Sequence, residues 1–406
     1  MKVFFSVLLL LVIVTSCNSK KTSYTQEQLY EKFASGVVLI QNTYYYKITL
    51  SDESFYSSSY IISDADEDNL NFEENYKDVN FDEVSNDAKS IMFGTGFLIS
   101  PRGTIVTNSH VINPHINKKE IYLSLMAHLQ KELDDANHNL SILENSKSDS
   151  KFINIYKERI DYLEKKIRLK KYKIELYSEI KVAYNGSRIT SSKDLTSCFV
   201  IKDVPDYDLG IIQISTYNCW NEATNNNWIR RNKNVSISQS QGWTDDKEAY
   251  EEYCFIMGGN NIVPNDKHIF DLQNVSSENN NEENKLYMIG FNEGLGLAIT
   301  NEGIKAQITQ GNISQKTDST QIMYSIPALH GSSGSPVINQ YGELIAINFA
   351  GLDDTQGFNY GIRVERLKEI LNDKSVKEYM KVYEKKENAK ANTDSLKMAE
   401  KAIMNK

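Results

Sequence analysis

A cationic excess, clustered metal ligands and long apolar runs are all missing from this chain of 406 residues. The formal charge is -9 and the sequence pI about 5.4. No basic stripe is there to track a phosphate backbone, so nucleic acid is excluded as a partner class. The same acidity disfavours electrostatic attachment to an anionic membrane, and any attachment is expected to be covalent. Cysteine is sparse at 4 and histidine at 6. No Cys-x-x-Cys pair or His/Cys cluster occurs, so no structural zinc or other metal site is expected. Proline is rare at 6 residues, and nothing in the composition reads as a Pro-rich linker. The one pronounced apolar run, Val3 to Val14, is too short to span a bilayer comfortably.

What is present is an ordinary globular composition, 40% hydrophobic and 24% charged, with tyrosine abundant at 24. Lys2 followed by the run Val3 to Val14 reads as a signal peptide. It ends in Val14-Thr15-Ser16-Cys17 before the polar Asn18-Ser19-Lys20-Lys21, which resembles a bacterial lipobox. That resemblance implies lipid on Cys17 and an exported protein held in a bacterial envelope, facing the periplasm or the cell surface. Cys198, Cys219 and Cys254 remain, enough for one disulfide and one free thiol, with three pairings open.

Along the chain, residues 1–17 are expected as the signal and 18–36 as a polar tether. Residues 37–114 read as strands with an acidic excursion over 51–90, whose Asp, Glu and Asn lack EF-hand spacing. From 115 to 182 the period changes to threes and fours (Ile121, Leu125, Leu129, Leu133, then Tyr156, Ile160, Leu163, Ile167, Ile174). This predicts an antiparallel hairpin of two amphipathic helices of about seven turns, each roughly 35–40 Å long. Strands resume over 183–216. Residues 217–285, with all three tryptophans and a low-complexity end, carry no assignable architecture and read as an insertion or linker. Strands and turns fill 286–370, with a closing helix from Val364, and 371–406 is a charged helix or tail.

Three short segments carry chemistry. Gly331-Ser332-Ser333-Gly334-Ser335-Pro336-Val337 places a serine on a glycine-bounded turn between apolar strands. Such a turn exposes Oγ and can aim the backbone N–H groups of Gly331 and Ser333 at a developing oxyanion. Thr107-Asn108-Ser109-His110-Val111-Ile112 puts His110 at a strand end, rigid and accessible. His330 is the rival base, but lies too close to Ser333 along the chain to approach its Oγ easily. Asp206-Tyr207-Asp208-Leu209-Gly210-Ile211-Ile212 offers Asp208 at the start of an apolar strand as the carboxylate that orients the imidazole. Asp203 and Asp206 are the alternatives, read more simply as turn residues beside Pro205.

Taken in the order His, Asp, Ser, these segments resemble the trypsin-like serine peptidase superfamily, in its bacterial HtrA-like and glutamyl-endopeptidase-like branches. Gly94-Thr95-Gly96-Phe97 to His110 looks like the histidine block, Asp208 to Ile212 the aspartate block, and Gly331 to Val337 with Gly342 to Ile347 the serine block. The resemblance implies a mainly β fold: a trypsin-like double β-barrel with an inserted helical hairpin and a C-terminal helix. It implies a serine endopeptidase with His110, Asp208 and Ser333 as triad, Gly331 and Ser333 as oxyanion donors, a polypeptide substrate and no cofactor. Pro327, Ala328 and Leu329, with Phe349, Ala350 and Gly351, would wall the pocket for the residue before the scissile bond. They are apolar or small, which points to cleavage after small or medium apolar residues.

Two departures from the family pattern stand out. Too few residues follow Ile362 for a PDZ domain, and Asn348 stands where glutamyl endopeptidases carry the histidine that binds glutamate. The competing class is a non-catalytic lipoprotein that uses the protease fold as a binding module. An acyl hydrolase of the α/β fold is disfavoured, because its residues run Ser, Asp/Glu, His. The apolar stripe of the helical hairpin permits self-association without requiring it.

Overall fold

The structure, a computed structural model, describes residues 22–50, 53–57, 72–75, 89–114, 117–214, 263–273, 275, 285–315, 319–351, 358–374 and 376. The signal segment, Cys17, the tryptophan-bearing stretch and the tail beyond 376 lie outside the described residues.

The chain opens with helix α1 (Gln26–Phe33), where the sequence suggests only a tether. Thr25 and Gln28 form a reciprocal capping box, and Leu29 and Phe33 are buried. Strand β1 (Val37–Leu50) follows, then β2 (Glu53–Ser57) and β3 (Phe72–Asn75). These two strands lie inside the expected acidic excursion and pair antiparallel, β2 on the far end of β1 and β3 on β2. Next come β4 (Ser90–Leu98), β5 (Thr104–Thr107) and the single helical turn α2 (Ser109–Ile112). The hairpin is formed by α3 (Lys118–Asn145) and α4 (Ser150–Ile167). Only α3 reaches seven turns. Helix α4 stops at Ile167, and Tyr172-Lys173-Ile174-Glu175-Leu176 is already strand β6 (Tyr172–Tyr184), so Ile174 belongs to a sheet rather than to the helical stripe. Alternation of period two over that stretch is the physical reason.

Strands β7 (Thr196–Val204) and β8 (Leu209–Ile214) complete the first barrel. Its strand order is β1-β4-β5-β8-β7-β6, with β6 returning to β1 to close the ring. The second barrel is built from β9 (Lys285–Gly290), β12 (Gln307–Gln315), β13 (Gln321–Tyr324), β14 (Pro336–Asn339), β15 (Leu344–Gly351) and β16 (Asn359–Arg363). It closes in the order β12-β13-β16-β15-β14-β9. Between β9 and β12 lie a short turn of helix, α5 (Leu295–Ala298), and a small ladder of β10 (Ile299–Thr300) with β11 (Gly303–Ile304). Helix α6 (Val364–Asn372) closes the described chain. The architecture is thus the trypsin-like double β-barrel, with all pairings between the described strands antiparallel.

Alternation along β1 divides the core. Val38 and Ile40 point into the first barrel with Leu98, Ile105, Ile212 and Ile214. Val37 and Leu39 point outward into a second cluster shared with Phe97, Leu209, Ile289, Phe291, Ile347 and Leu367. That shared cluster cements the two barrels. The interior of the second barrel is separate, built on Met288, Ile322, Tyr324 and Val337. The later half of β1 (Tyr44, Tyr46, Ile48, Leu50) is roofed by Ile121, Leu125, Leu129 and Leu163 of the helical hairpin. Val263 and Phe270 are buried in these clusters, so the end of the stretch read as an insertion or linker is core material.

Candidate active site

The histidine turn is positioned first. Strand β5 pairs with β8, Thr107 opposite Gly210, and α2 begins two residues later. A four-residue helix cannot stabilise itself, since nucleation fixes several dihedrals for one hydrogen bond. Its placement therefore comes from side chains. The Asp208 carboxylate accepts from the His110 backbone N–H at 2.9 Å and lies 2.8 and 3.0 Å from His110 Nδ1. A carboxylate only accepts, so Nδ1 carries the proton and Nε2 is left with its lone pair. The side chains are 34% and 22% exposed, partly dry yet reachable. Asp208 itself is left-handed, at φ 49°, and closes a short 3₁₀ turn that begins at Pro205. Asn108 Nδ2 holds the Asp208 carbonyl at 2.9 Å. Asn42, buried in β1, donates to Val111 O at 2.9 Å.

The serine turn is held from both barrels. Gly331 and Gly334 take φ of 87° and 88°, and a Cβ on Gly334 would fall 2.0 Å from the Thr95 carbonyl, so neither position admits a side chain without strain. Thr95 of β4 uses every polar atom it has. Its N–H donates to Ser333 O at 2.8 Å, its hydroxyl donates to Gly331 O at 2.8 Å and accepts from Phe291 N–H at 2.9 Å, and its carbonyl accepts from the Thr107 hydroxyl at 2.7 Å. Thr107 lies three residues before His110, so one buried threonine ties the serine turn to the strand that delivers the histidine.

On the far side, Asn348 Nδ2 donates to the carbonyl and hydroxyl oxygens of Ser332, both at 3.1 Å, and Asn348 Oδ1 accepts from the buried Tyr324 hydroxyl at 2.8 Å. Asn348 is 2% exposed and wholly committed to supporting the turn, so it has no atom left to read a substrate. Burial pushes the Tyr324 phenol well above its ordinary pKa, keeping it a donor.

Two backbone donors remain open. Among the described residues, neither Gly331 N–H nor Ser333 N–H meets an acceptor, whereas Ser332, Gly334 and Ser335 N–H are all bonded. The His330 carbonyl is held by Glu293 N–H. Because the intervening peptide is trans, that bond turns the Gly331 N–H the opposite way, out of the turn. Ser333 Oγ and His110 Nε2 make no hydrogen bond among the described residues; such contacts are often long without substrate.

Of the residues expected to wall the specificity pocket, Pro327 and Leu329 are exposed and Ala328 is half-buried. They leave β13, which is one strand removed from β15, where Phe349 packs near Tyr360 at 6.3 Å between ring centroids. Ala350 and Gly351 pair through their backbones with Tyr360 and Asn359, and their side-chain surroundings lie outside the described residues. His330 is exposed, and Asp206 lies in the 3₁₀ turn. Asp203, the other alternative acid, bonds Ser109 and Asn113 rather than His110. Cys198 is a free thiol, so it is not a disulfide partner here. Sequence reasoning missed the roles of Thr95, Asn348 and Asn42. Thr95 alone had a signal, sitting between two glycines in the Gly94 to Phe97 block. Among the described residues no cluster of three His, Cys, Asp or Glu could hold a metal ion, and no helix is long and apolar enough to cross a membrane.

Residues 263–347 match the family described as the Trypsin-like peptidase domain. Among solved structures, the chain is similar to the crystal structure of the serine endoprotease from Yersinia pestis. The identity is 13% and the TM-score 0.38, over 88% of this chain and 68% of that one. No curated protein matches.

Proposed function

We propose that this chain, a trypsin-like peptidase by its double barrel and by the family match over residues 263–347, is an active serine endopeptidase. The observation that carries the reading is the pairing of His110 Nδ1 with Asp208, which leaves Nε2 as the only basic nitrogen of that ring. On this reading Nε2 takes the proton of Ser333 as Oγ attacks the scissile carbonyl. Asp208 holds the tautomer and stabilises the imidazolium, and the open N–H groups of Gly331 and Ser333 receive the oxyanion. His110 then protonates the leaving amine, and water, deprotonated by the same nitrogen, releases the acyl group from Ser333.

On this reading Ala328, Leu329 and Phe349 form one side of the specificity pocket; none of them carries a charge for Lys, Arg or Glu, and Asn348 is occupied elsewhere. Cleavage is therefore expected after small or medium apolar residues. Export and a lipid on Cys17 belong to the same proposal and rest on the sequence from Val3 to Cys17. Incubating a mixed peptide library with the full chain and with Ser333→Ala tests the enzymatic reading. Cleavage after apolar residues by the first and a loss on the order of 10⁴-fold or more in the second are expected. A library cut by both alike would remove Ser333 from the reaction, and cuts mainly after Lys, Arg or Glu would overturn the specificity.

A further inference from the structure

The turn that carries His110 is gripped by a second carboxylate that the proton-transfer scheme does not use. Asp203 lies on β7 directly opposite Gly210 of β8. Gly210 has no side chain to spare room for: a Cβ there would sit 2.5 Å from Ile112 Cδ1, so α2 lies flat on this stretch of sheet. Asp203 reaches α2 from the neighbouring strand. One carboxylate oxygen accepts from the buried Ser109 hydroxyl and the other from Asn113 Nδ2 at 2.7 Å. Ser109 and Asn113 are the first residue and the C-cap of α2, so a single side chain clasps both ends of the one turn that bears His110.

The clasp matters because α2 lacks the usual means of holding itself. Its N-cap Asn108 makes no side-chain capping bond. Asp208 fixes the imidazole through Nδ1 and through the His110 backbone, but both of those bonds pivot on one carboxyl group. Together with the Asn42 bond to Val111 O and the buried Val111 and Ile112, two points of attachment on either side of His110 resist rotation of the turn about that pivot. Bonds to an ionised acceptor are also about twice as strong as neutral ones, which suits a clamp.

We propose that Asp203 is a positioning residue for the proposed reaction, holding His110 Nε2 in line for Ser333 by clamping α2 through Ser109 and Asn113. The inference rests on the reading of His110 as the base. It predicts that the chemistry of the clamp, rather than the identity of residue 203, is what counts. Asp203→Asn takes the charge out of the clamp: the new amide can still accept from Asn113 and donate to the Ser109 hydroxyl oxygen, but both bonds are then neutral and weaker. Exchanging the two residues, Asp203→Asn with Asn113→Asp, returns a carboxylate to the clamp: it accepts from the amide of residue 203, whose oxygen accepts from Ser109.

The test measures peptide hydrolysis for the full chain, for Asp203→Asn and for the exchanged pair, alongside the downfield Nδ1 proton resonance shared by His110 and Asp208. That resonance is assigned by its loss in His110→Gln. Asp203→Asn is expected to lower kcat about ten- to hundredfold with KM little changed, the range for two charge-assisted hydrogen bonds made neutral. It should also broaden the proton resonance, and the exchanged pair should recover both. Full activity and an unaltered resonance in Asp203→Asn would overturn the inference while leaving the protease reading intact. So would a loss that the exchange does not recover. If the parent chain hydrolyses nothing, the protease reading fails, and the resonance alone then decides whether Asp203 positions His110.

Discussion

Thr95 has no chemistry of its own, yet it joins the serine turn, the Phe291 backbone and the histidine strand with four hydrogen bonds and is fully buried. Thr95→Val keeps the shape and removes the hydroxyl, orphaning Gly331 O and Phe291 N–H. Each unsatisfied buried group costs about 1–3 kcal/mol, so the urea midpoint should fall and labelling of Ser333 should slow. Thr95→Ser, which keeps the hydroxyl, should stay near the parent in both. Equal behaviour of the valine and serine variants would show that the hydroxyl does nothing. At this scale the sequence exposes the side chains proposed to react, because Ser333, His110 and Asp208 each sit beside a diagnostic turn or strand edge. Their supports are not legible in it. Asn348 lies 15 residues from Ser333, Asn42 lies 68 from His110, and only barrel closure brings either pair together.

Among the elements, the helical hairpin is anchored at its base and open at its tip. Its buried apolar residues, Ile121, Leu125, Leu129 and Leu163, cover Tyr44, Tyr46 and Ile48 of β1. Ile142, Phe152 and Ile155, near the connecting turn, are more than half exposed. Leu125→Ala should therefore cost about 2–5 kcal/mol of stability, as a core truncation does. Ile142→Ala should stay within about 0.5 kcal/mol, as an exposed change does. Chemical denaturation of the two variants checks this, and equal losses would mean that the hairpin packs differently. The helical period made this element visible in advance. The shorter reach of α4 was hidden because Leu163, Ile167 and Ile174 continue a spacing of fours and sevens across the helix end. The strands β2 and β3 were hidden by acidic composition, since pairing through backbone groups leaves little trace in side-chain chemistry.

For the molecule as a whole, the two barrels are bound by exchanged ends as well as by their shared core. Helix α1 precedes the first barrel but reaches the second, with Tyr24 N–H on Gln340 O at 2.8 Å and Gln26 Nε2 on Ile308 O at 3.2 Å. Helix α6 follows the second barrel but reaches the first, with the Arg366 guanidinium 5.8 Å over the Tyr207 ring and Leu367 in the shared cluster with Leu209. His268 sits at this seam, its ring edge-on to Phe33 and Phe270 with centroids 4.6 and 5.0 Å away, and its backbone N–H donates to Ser35 Oγ. Burial, and secondly Lys32, hold its imidazole below the ordinary histidine pKa. The unfolded chain therefore takes up this proton more readily than the folded one. Stability is complete above the unfolded histidine value of about 6.5 and falls as pH drops through it. The Asp194 carboxylate, held low chiefly by the Thr190 hydroxyl, loses its contribution only further down, below the usual carboxylate range. Denaturation midpoints at pH 7.5 and 5.5 should thus differ in the parent and converge in His268→Gln; an unchanged difference in the variant would remove His268 as the cause. The central claim is that Ser333 is an activated nucleophile. Its most direct test is treatment of the folded full chain with a fluorophosphonate, followed by peptide mapping. A single adduct on Ser333, slowed strongly by Asp208→Asn and absent in His110→Ala, is the expected result. A folded chain that takes no label, or takes it on another residue, would contradict it.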